Sequence, residues 1–172
     1  MAERAAAWVD GLFPHVAVRQ WVLTVPFRRR WLLARRPELA RGVLAIALRL
    51  VTRWLREQTG APDGKTGSVT VQQRFGSALN LNLHFHILQL DGLYVRGPHG
   101  RLAFRRVRPT TQDVEKLVIQ ISHACEVWLA EQGTGDDNPD EPDPDDALAL
   151  LHAASVEGLL VSRGGRKARR TQ

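Results

Sequence analysis

The chain has 172 residues, 44% of them hydrophobic and 24% charged, proportions of one folded domain that exclude a disordered or fibrous polymer. No stretch of about 18 apolar residues is free of charge, and residues 1–11 lack the basic-then-apolar pattern of a leader, so neither a membrane span nor secretion is expected. The net charge is only +6, yet seven of the 18 acids lie between Asp136 and Asp146, leaving eleven acids against all 24 bases elsewhere, and a body this basic suits a polyanionic partner.

The run Arg19 to Pro26, β-branched and aromatic and closed by proline, reads as a short buried strand. After Phe27 to Trp31, a helix is expected from Pro37, a first-turn proline, to about Gln58, where Thr59-Gly60 and Pro62 stop it. Leu39, Val43, Ile46, Ala47, Leu50 and Trp54 recur on its apolar side, and Arg41, Arg49, Arg53 and Arg56 form another side, open to phosphate or simply solvated. Ala61 to Gly67 is a turn cluster. Its Lys65-Thr66 lacks the paired glycines and the strand-to-helix setting of a phosphate-binding loop. Ser68 to Phe75 follows as a strand.

From Leu81 to Leu90 the sequence alternates, and Asp91-Gly92 predicts a type I′ hairpin turn into Leu93 to Arg96. Alternation sends Leu81, Leu83, Phe85 and Ile87 to one face and Asn82, His84 and His86 to the other. Gly97 to Gly100 is a turn, and Arg101 to Val107 a further strand. Thr110 or Thr111 can cap a helix to about Gln132, with Val114, Leu117, Val118, Ile121, Cys125, Trp128 and Leu129 as its apolar stripe. The expected organisation is a core over 1–132, an acidic proline-rich linker over 133–146, and over 147–172 a short helix (147–156) with a basic tail, disordered from Arg163. The fold class is α+β, a mostly antiparallel sheet with helices packed on it.

Two imidazoles at i and i+2 on one strand face can share a metal ion, provided a third donor comes from a neighbouring element. Gln72 and Gln73 on the preceding strand are the candidates. Parity groups Gln72 with Ser68, Thr70 and Arg74 on a polar face, and Gln73 with Val69 and Val71, so alternation alone favours Gln72 unless a bulge intervenes. Imidazole ligands alone suit a borderline metal such as zinc. His15, His99, His123 and His152 have no companion at ligand spacing, and the lone Cys125 excludes disulfides and thiolate-rich zinc sites and fits a reducing, cytoplasmic setting. With only Lys65, Lys116 and Lys167 as lysines, 21 bases are arginines, whose planar fork suits bidentate phosphate contact. Arg28, Arg29 and Arg30 beside Trp31, and Arg74 beside the histidine face, are the candidate DNA-binding residues.

Gln73 to Gly92, with its core Asn80-Leu-Asn-Leu-His-Phe-His-Ile-Leu-Gln-Leu-Asp-Gly92, resembles the histidine signature of the HUH-type transposases of insertion-sequence family ninety-one. Arg19 to Phe27 resembles that family's first-strand motif, and Ala2 to Ala6 and Ala154 to Gly158 are also similar to its members. The resemblance implies a rolling-circle transposase on an HUH or Rep-like sandwich, which nicks single-stranded DNA at transposon ends with a tyrosine and forms a 5′-phosphotyrosine link. It implies a divalent cation, Mg²⁺ or Mn²⁺, held by His84 and His86 as catalytic histidines, with Gln73 in the register of the third ligand. The family's nucleophilic tyrosine lies on a helix further downstream than this chain extends, and its cysteine-rich amino-terminal domain has no counterpart here. The sequence thus resembles the central part of such an enzyme. Tyr94, the only tyrosine, is expected on a strand paired with the histidine strand, as a packing or surface aromatic rather than the nucleophile. A DNA-binding remnant with an idle metal face, and a hydrolase using water at His84 and His86, are the competing readings.

Overall fold

The computed structural model describes residues 14–75, 80–134 and 160–164. Strand β1 (Val18–Thr24) leads through Val25-Pro26 into helix α1 (Phe27–Arg35) and helix α2 (Pro37–Thr59). Arg36 separates the two helices because the proline after it disfavours helical backbone; it stays extended, at φ −118° and ψ 82°. Gly60 closes α2 in the left-handed conformation, φ 60°, its N–H donating to the Arg56 and Glu57 carbonyls. Strands β2 (Ser68–Phe75), β3 (Leu81–Leu90), β4 (Gly92–Arg96) and β5 (Leu102–Arg106) follow, then helix α3 (Thr111–Glu131) and strand β6 (Leu160–Gly164).

The expected fold class holds: the described residues form four antiparallel strands in the order β2-β3-β1-β6, a two-stranded sheet of β4 and β5, and three α-helices. Period-2 alternation turns Trp21 and Leu23 of β1 and Leu83, Phe85 and Ile87 of β3 to one face. There they join Leu33 of α1, Val43, Ile46, Ala47 and Val51 of α2 and Leu117, Ile121, Cys125 and Leu129 of α3 in one apolar core. The helix stripes expected at Leu39 to Trp54 and Val114 to Leu129 supply that core. Thr110 caps α3, its hydroxyl accepting from the Asp113 N–H while the Asp113 carboxylate accepts from the Thr110 N–H. No described helix is long and apolar enough to cross a membrane.

Three expectations are corrected. Asp91-Gly92 is not a hairpin turn: β3 pairs with β1 and β2, while β4 leaves that sheet to pair with β5. Neither residue has the positive φ of a type I′ turn; Asp91 is buried, and its carboxylate holds Arg19. Tyr94 therefore lies opposite Phe104 of β5, ring centroids 5.1 Å apart, not beside the histidine strand. The tail was expected to be disordered from Arg163, but Arg163 and Gly164 belong to β6, which pairs with the otherwise open edge of β1 and so gives its backbone groups partners. The expected helix over 147–156 lies outside the described residues, as does nearly all of the acidic linker.

Candidate metal centre

The face of the sheet opposite the helices carries the histidines. His84 is flanked by Thr24 on β1 and Gln73 on β2, and His86 by Val22 and Val71. Directly paired residues of antiparallel strands share a face, so Gln20, Val22, Thr24, Val71, Gln73, His84 and His86 form one patch. None of these is buried, whereas the alternating residues Trp21, Leu23, Phe85 and Ile87 are in the core.

The register also separates the two glutamines by face. Gln73 lies opposite His84, whereas Gln72 lies opposite Phe85 and belongs to the helix side. The parity argument for Gln72 fails because it took the polar side of β2 to be the open side. Strand β2 is an edge whose residues Val71 to Phe75 are all exposed, so neither side needs apolar residues. A register shift between Gln73 and Phe75 ends the regular pairing at Arg74.

The two rings sit edge to face with centroids 4.9 Å apart. His84 Nδ1 donates to the Asn82 carbonyl at 2.7 Å, and His86 Nδ1 lies 2.9 Å from the Gln20 amide nitrogen. Both Nδ1 atoms are thus engaged, and for His84, whose Nδ1–H donates to a carbonyl, Nε2 is the nitrogen left for a ligand, as in metal-binding imidazoles. Burial first, and then the neighbouring His84, lower the His86 pKa from the ordinary histidine value, which favours the neutral ring that a metal requires. Gln73 Nε2 donates to the Phe75 carbonyl at 3.1 Å, leaving Oε1 as its acceptor. Asn82 Oδ1, two residues before His84, is buried with no hydrogen-bond partner among the described residues. The same residues include no cluster of three or more histidines, cysteines or carboxylates; the side-chain oxygens that the described residues place on this face belong to Gln20, Thr24, Gln73 and Asn82. Two imidazole nitrogens with neutral oxygens are donors of the kind a borderline divalent cation accepts.

Gln20 and Thr24 were not singled out from sequence. The signal was there, since Gln20 and Thr24 alternate with the buried Trp21 and Leu23, but assigning them to the histidine face needs the β1–β3 register.

The arginines divide. Arg28 is exposed, 3.7 Å from Glu126. Arg29 is half-buried and donates to Glu126 at 2.8 Å and to the Thr134 carbonyl at 3.0 Å, tying α1 to the end of α3. Arg30 is buried and donates to the Val25 carbonyl at 3.0 Å, so it is a packing residue and not part of an exposed basic run. Arg74 is exposed beside Gln73. Trp31 is 48% exposed with the Arg35 guanidinium 5.1 Å from its ring centre. Cys125 is buried against the Val43 carbonyl, and burial pushes its thiol up to about 12, which leaves it no thiolate for ligation. Comparisons with protein-family models, curated proteins and solved structures find no match to this chain.

Proposed function

We propose that this chain is part of an HUH-type transposase acting on single-stranded DNA, with His84 and His86, aided by Gln73, holding Mg²⁺ or Mn²⁺. The observation that carries the reading is the pair of neighbouring imidazoles on the open sheet face, each fixed through Nδ1, with Gln73 opposite His84. The likeness of residues 73–92 to the HUH signature supports the same assignment and supplies the choice of cation. When bound, such a cation polarises a phosphate and offsets charge on a departing 3′ oxygen. The chain's own residues orient the imidazoles and present neutral oxygen donors beside them. Arg28 and Arg74 are the exposed members of the candidate DNA-binding set and offer phosphate contacts. Tyr94, packed on Phe104 in the second sheet, is not assigned the nucleophile, so the transesterification calls on a tyrosine that this sequence does not contain. A cytoplasmic setting agrees with the one buried thiol.

Calorimetric titration of Mn²⁺ into the full chain and into His84→Ala/His86→Ala, both checked by circular dichroism, tests this. A saturable site is expected in the parent alone, and fluorescence anisotropy should show tighter binding of a single-stranded oligonucleotide with Mn²⁺ than with chelator. Absence of a site in a folded parent overturns the reading. DNA binding that is equal with and without the ion, but steeply salt-dependent, instead identifies a phosphate-contact module with an idle histidine face.

A further inference from the structure

Helix α1 has two unlike sides. Leu33 and Arg30 are buried, and the Arg30 guanidinium is spent on the Val25 carbonyl. Arg28, Trp31 and Arg35, at i, i+3 and i+7, share a side that is exposed throughout. Trp31 is 48% exposed and is the one large hydrophobic residue that α1 exposes. The Arg35 guanidinium lies 5.1 Å from its ring centre, within cation–π range. The acids nearest this side are engaged by other arginines: Glu126 accepts from Arg29 at 2.8 Å, with Arg28 only at 3.7 Å, and Glu38 accepts from Arg36 at 2.8 Å. No acid lies within Phe27–Arg35, and among the described residues Arg35 has no acidic partner. Arg28 and Arg35 thus keep donors for an anion from outside.

We propose that this side of α1 is a second contact for single-stranded DNA, separate from the cation site: an unpaired base stacks on the Trp31 indole, and Arg28 and Arg35 take phosphates on either side of it. This rests on the DNA reading given above and not on the cation. The residue types match the ligand, since an aromatic ring stacks on any unpaired base and guanidinium forks hold phosphate oxygens. A membrane surface is a poorer match, because the ring stands alone between cations, whereas a helix lying in the interface buries a continuous apolar face. The chain also carries this side to the end of the sheet where His84 sits. Thr24, opposite His84, is four residues before Arg28, so their α-carbons are at most about 14 Å apart, and the helix then rises about 1.5 Å per residue towards Trp31 and Arg35. A strand that passes His84 and rounds this end of the sheet meets Arg28, Trp31 and Arg35 in turn.

The test is fluorescence anisotropy of the full chain with a labelled oligothymidine and with a duplex of the same length, each with Mn²⁺ and with chelator. Trp31→Ala should weaken oligothymidine binding by about 5–150-fold, with an unchanged circular dichroism spectrum and unchanged duplex binding, and the same loss is expected with chelator. Trp31→Phe, which keeps a ring, should restore most of the affinity. Arg35→Gln should flatten the slope of log K against log salt by about 0.7, the share of one phosphate on a single strand, a change that Trp31→Ala should not make. Oligothymidine should also quench the tryptophan emission of the parent more than that of Trp31→Phe, and this comparison decides should Trp31→Ala fail to fold. A folded Trp31→Ala that binds oligothymidine as the parent does overturns the proposal, and so does an equal loss on single strand and duplex. A loss confined to vesicles of phosphatidylserine and phosphatidylcholine overturns it in favour of a membrane contact. A parent that binds no oligothymidine in either condition overturns the DNA reading as well, whereas parental binding that Trp31→Ala leaves intact overturns the role of Trp31 alone.

Discussion

Arg19 and Asp91 form a two-pronged ion pair across the sheet end, with Nε and Nη2 donating to Oδ1 and Oδ2 at 2.8 Å each. Both side chains are buried, at 8% and 5% exposure. The Asp91 backbone is engaged as well: its N–H donates to the Ala17 carbonyl at 2.7 Å, and its carbonyl accepts from the Val107 N–H at 2.8 Å. One residue thus ties the start of β1, the end of β3 and the exit of β5. Removing Asp91 leaves the Arg19 charge buried without compensation, which costs about 3–5 kcal/mol, whereas Asp91 also has the Arg106 guanidinium at 3.7 Å. Asp91→Leu is expected to lose that much in urea unfolding, with an unchanged slope, while Arg19→Met/Asp91→Leu should recover much of it. A loss below about 1 kcal/mol for the single variant contradicts the burial of the pair.

Gly92 is needed for space. A Cβ at this position would overlap the Arg105 carbonyl on the paired strand, so the close approach of β4 to β5 requires the missing side chain. Gly92→Ala should destabilise by about 1–3 kcal/mol, the range for forcing atoms into a packed site. It should also loosen β4 and β5 before the four-stranded sheet, measured as faster amide exchange at Leu93 and Val95 than at Phe85 and Ile87. Uniform exchange across both sheets argues against it.

Much of this fold is legible because one periodicity dominates each element. The Leu83, Phe85, Ile87 alternation marks the core face of β3, and Thr110 with Asp113 marks the start of α3. What is not legible depends on pairing between distant segments. Asp-Gly between two strand-like runs is a hairpin signal, and only the partner of Asp91, far upstream at Arg19, shows why the chain changes sheets there. Leu160–Gly164 has too short a pattern to announce a strand, and the open edge of β1 supplies the reason for it. Arg30 reads like its neighbours Arg28 and Arg29, yet the α1 turn points it inward to the Val25 carbonyl. In the candidate site the histidines are visible at once. Gln20, Thr24 and the choice of Gln73 require the register.

The α3 cap gives a pH-dependent contribution to stability. Hydrogen bonds from the Thr110 hydroxyl and backbone hold the Asp113 carboxyl below its ordinary range. A carboxylate with a lowered folded pKa stabilises fully above its unfolded value, and that contribution is lost as pH falls through the folded one. Thr110→Ala should cost about 0.5–2 kcal/mol at neutral pH. The gap between parent and variant should narrow as acid protonates Asp113, leaving the part owed to the Asp113 N–H donating to the Thr110 hydroxyl. A difference that stays constant down to the lowest pH at which both fold argues against the carboxylate's part in the cap.

Gln72 and Gln73 allow a test of the site that separates register from composition. Both are exposed amides on the same edge strand, one residue apart, and each can be changed to methionine with little loss of packing. Opposite His84, Gln73 can offer its oxygen to a cation held by the rings; opposite Phe85, Gln72 is on the other face. Losing one neutral oxygen ligand should weaken Mn²⁺ binding, so Gln73→Met is expected to bind about tenfold more weakly, a difference of about 1.4 kcal/mol. Gln72→Met should match the parent. Calorimetry on the two variants, with equal unfolding midpoints as the control, decides between them. Equal affinities for all three proteins would remove Gln73 from the ligand set and leave Thr24 and Asn82 as the oxygen donors beside His84.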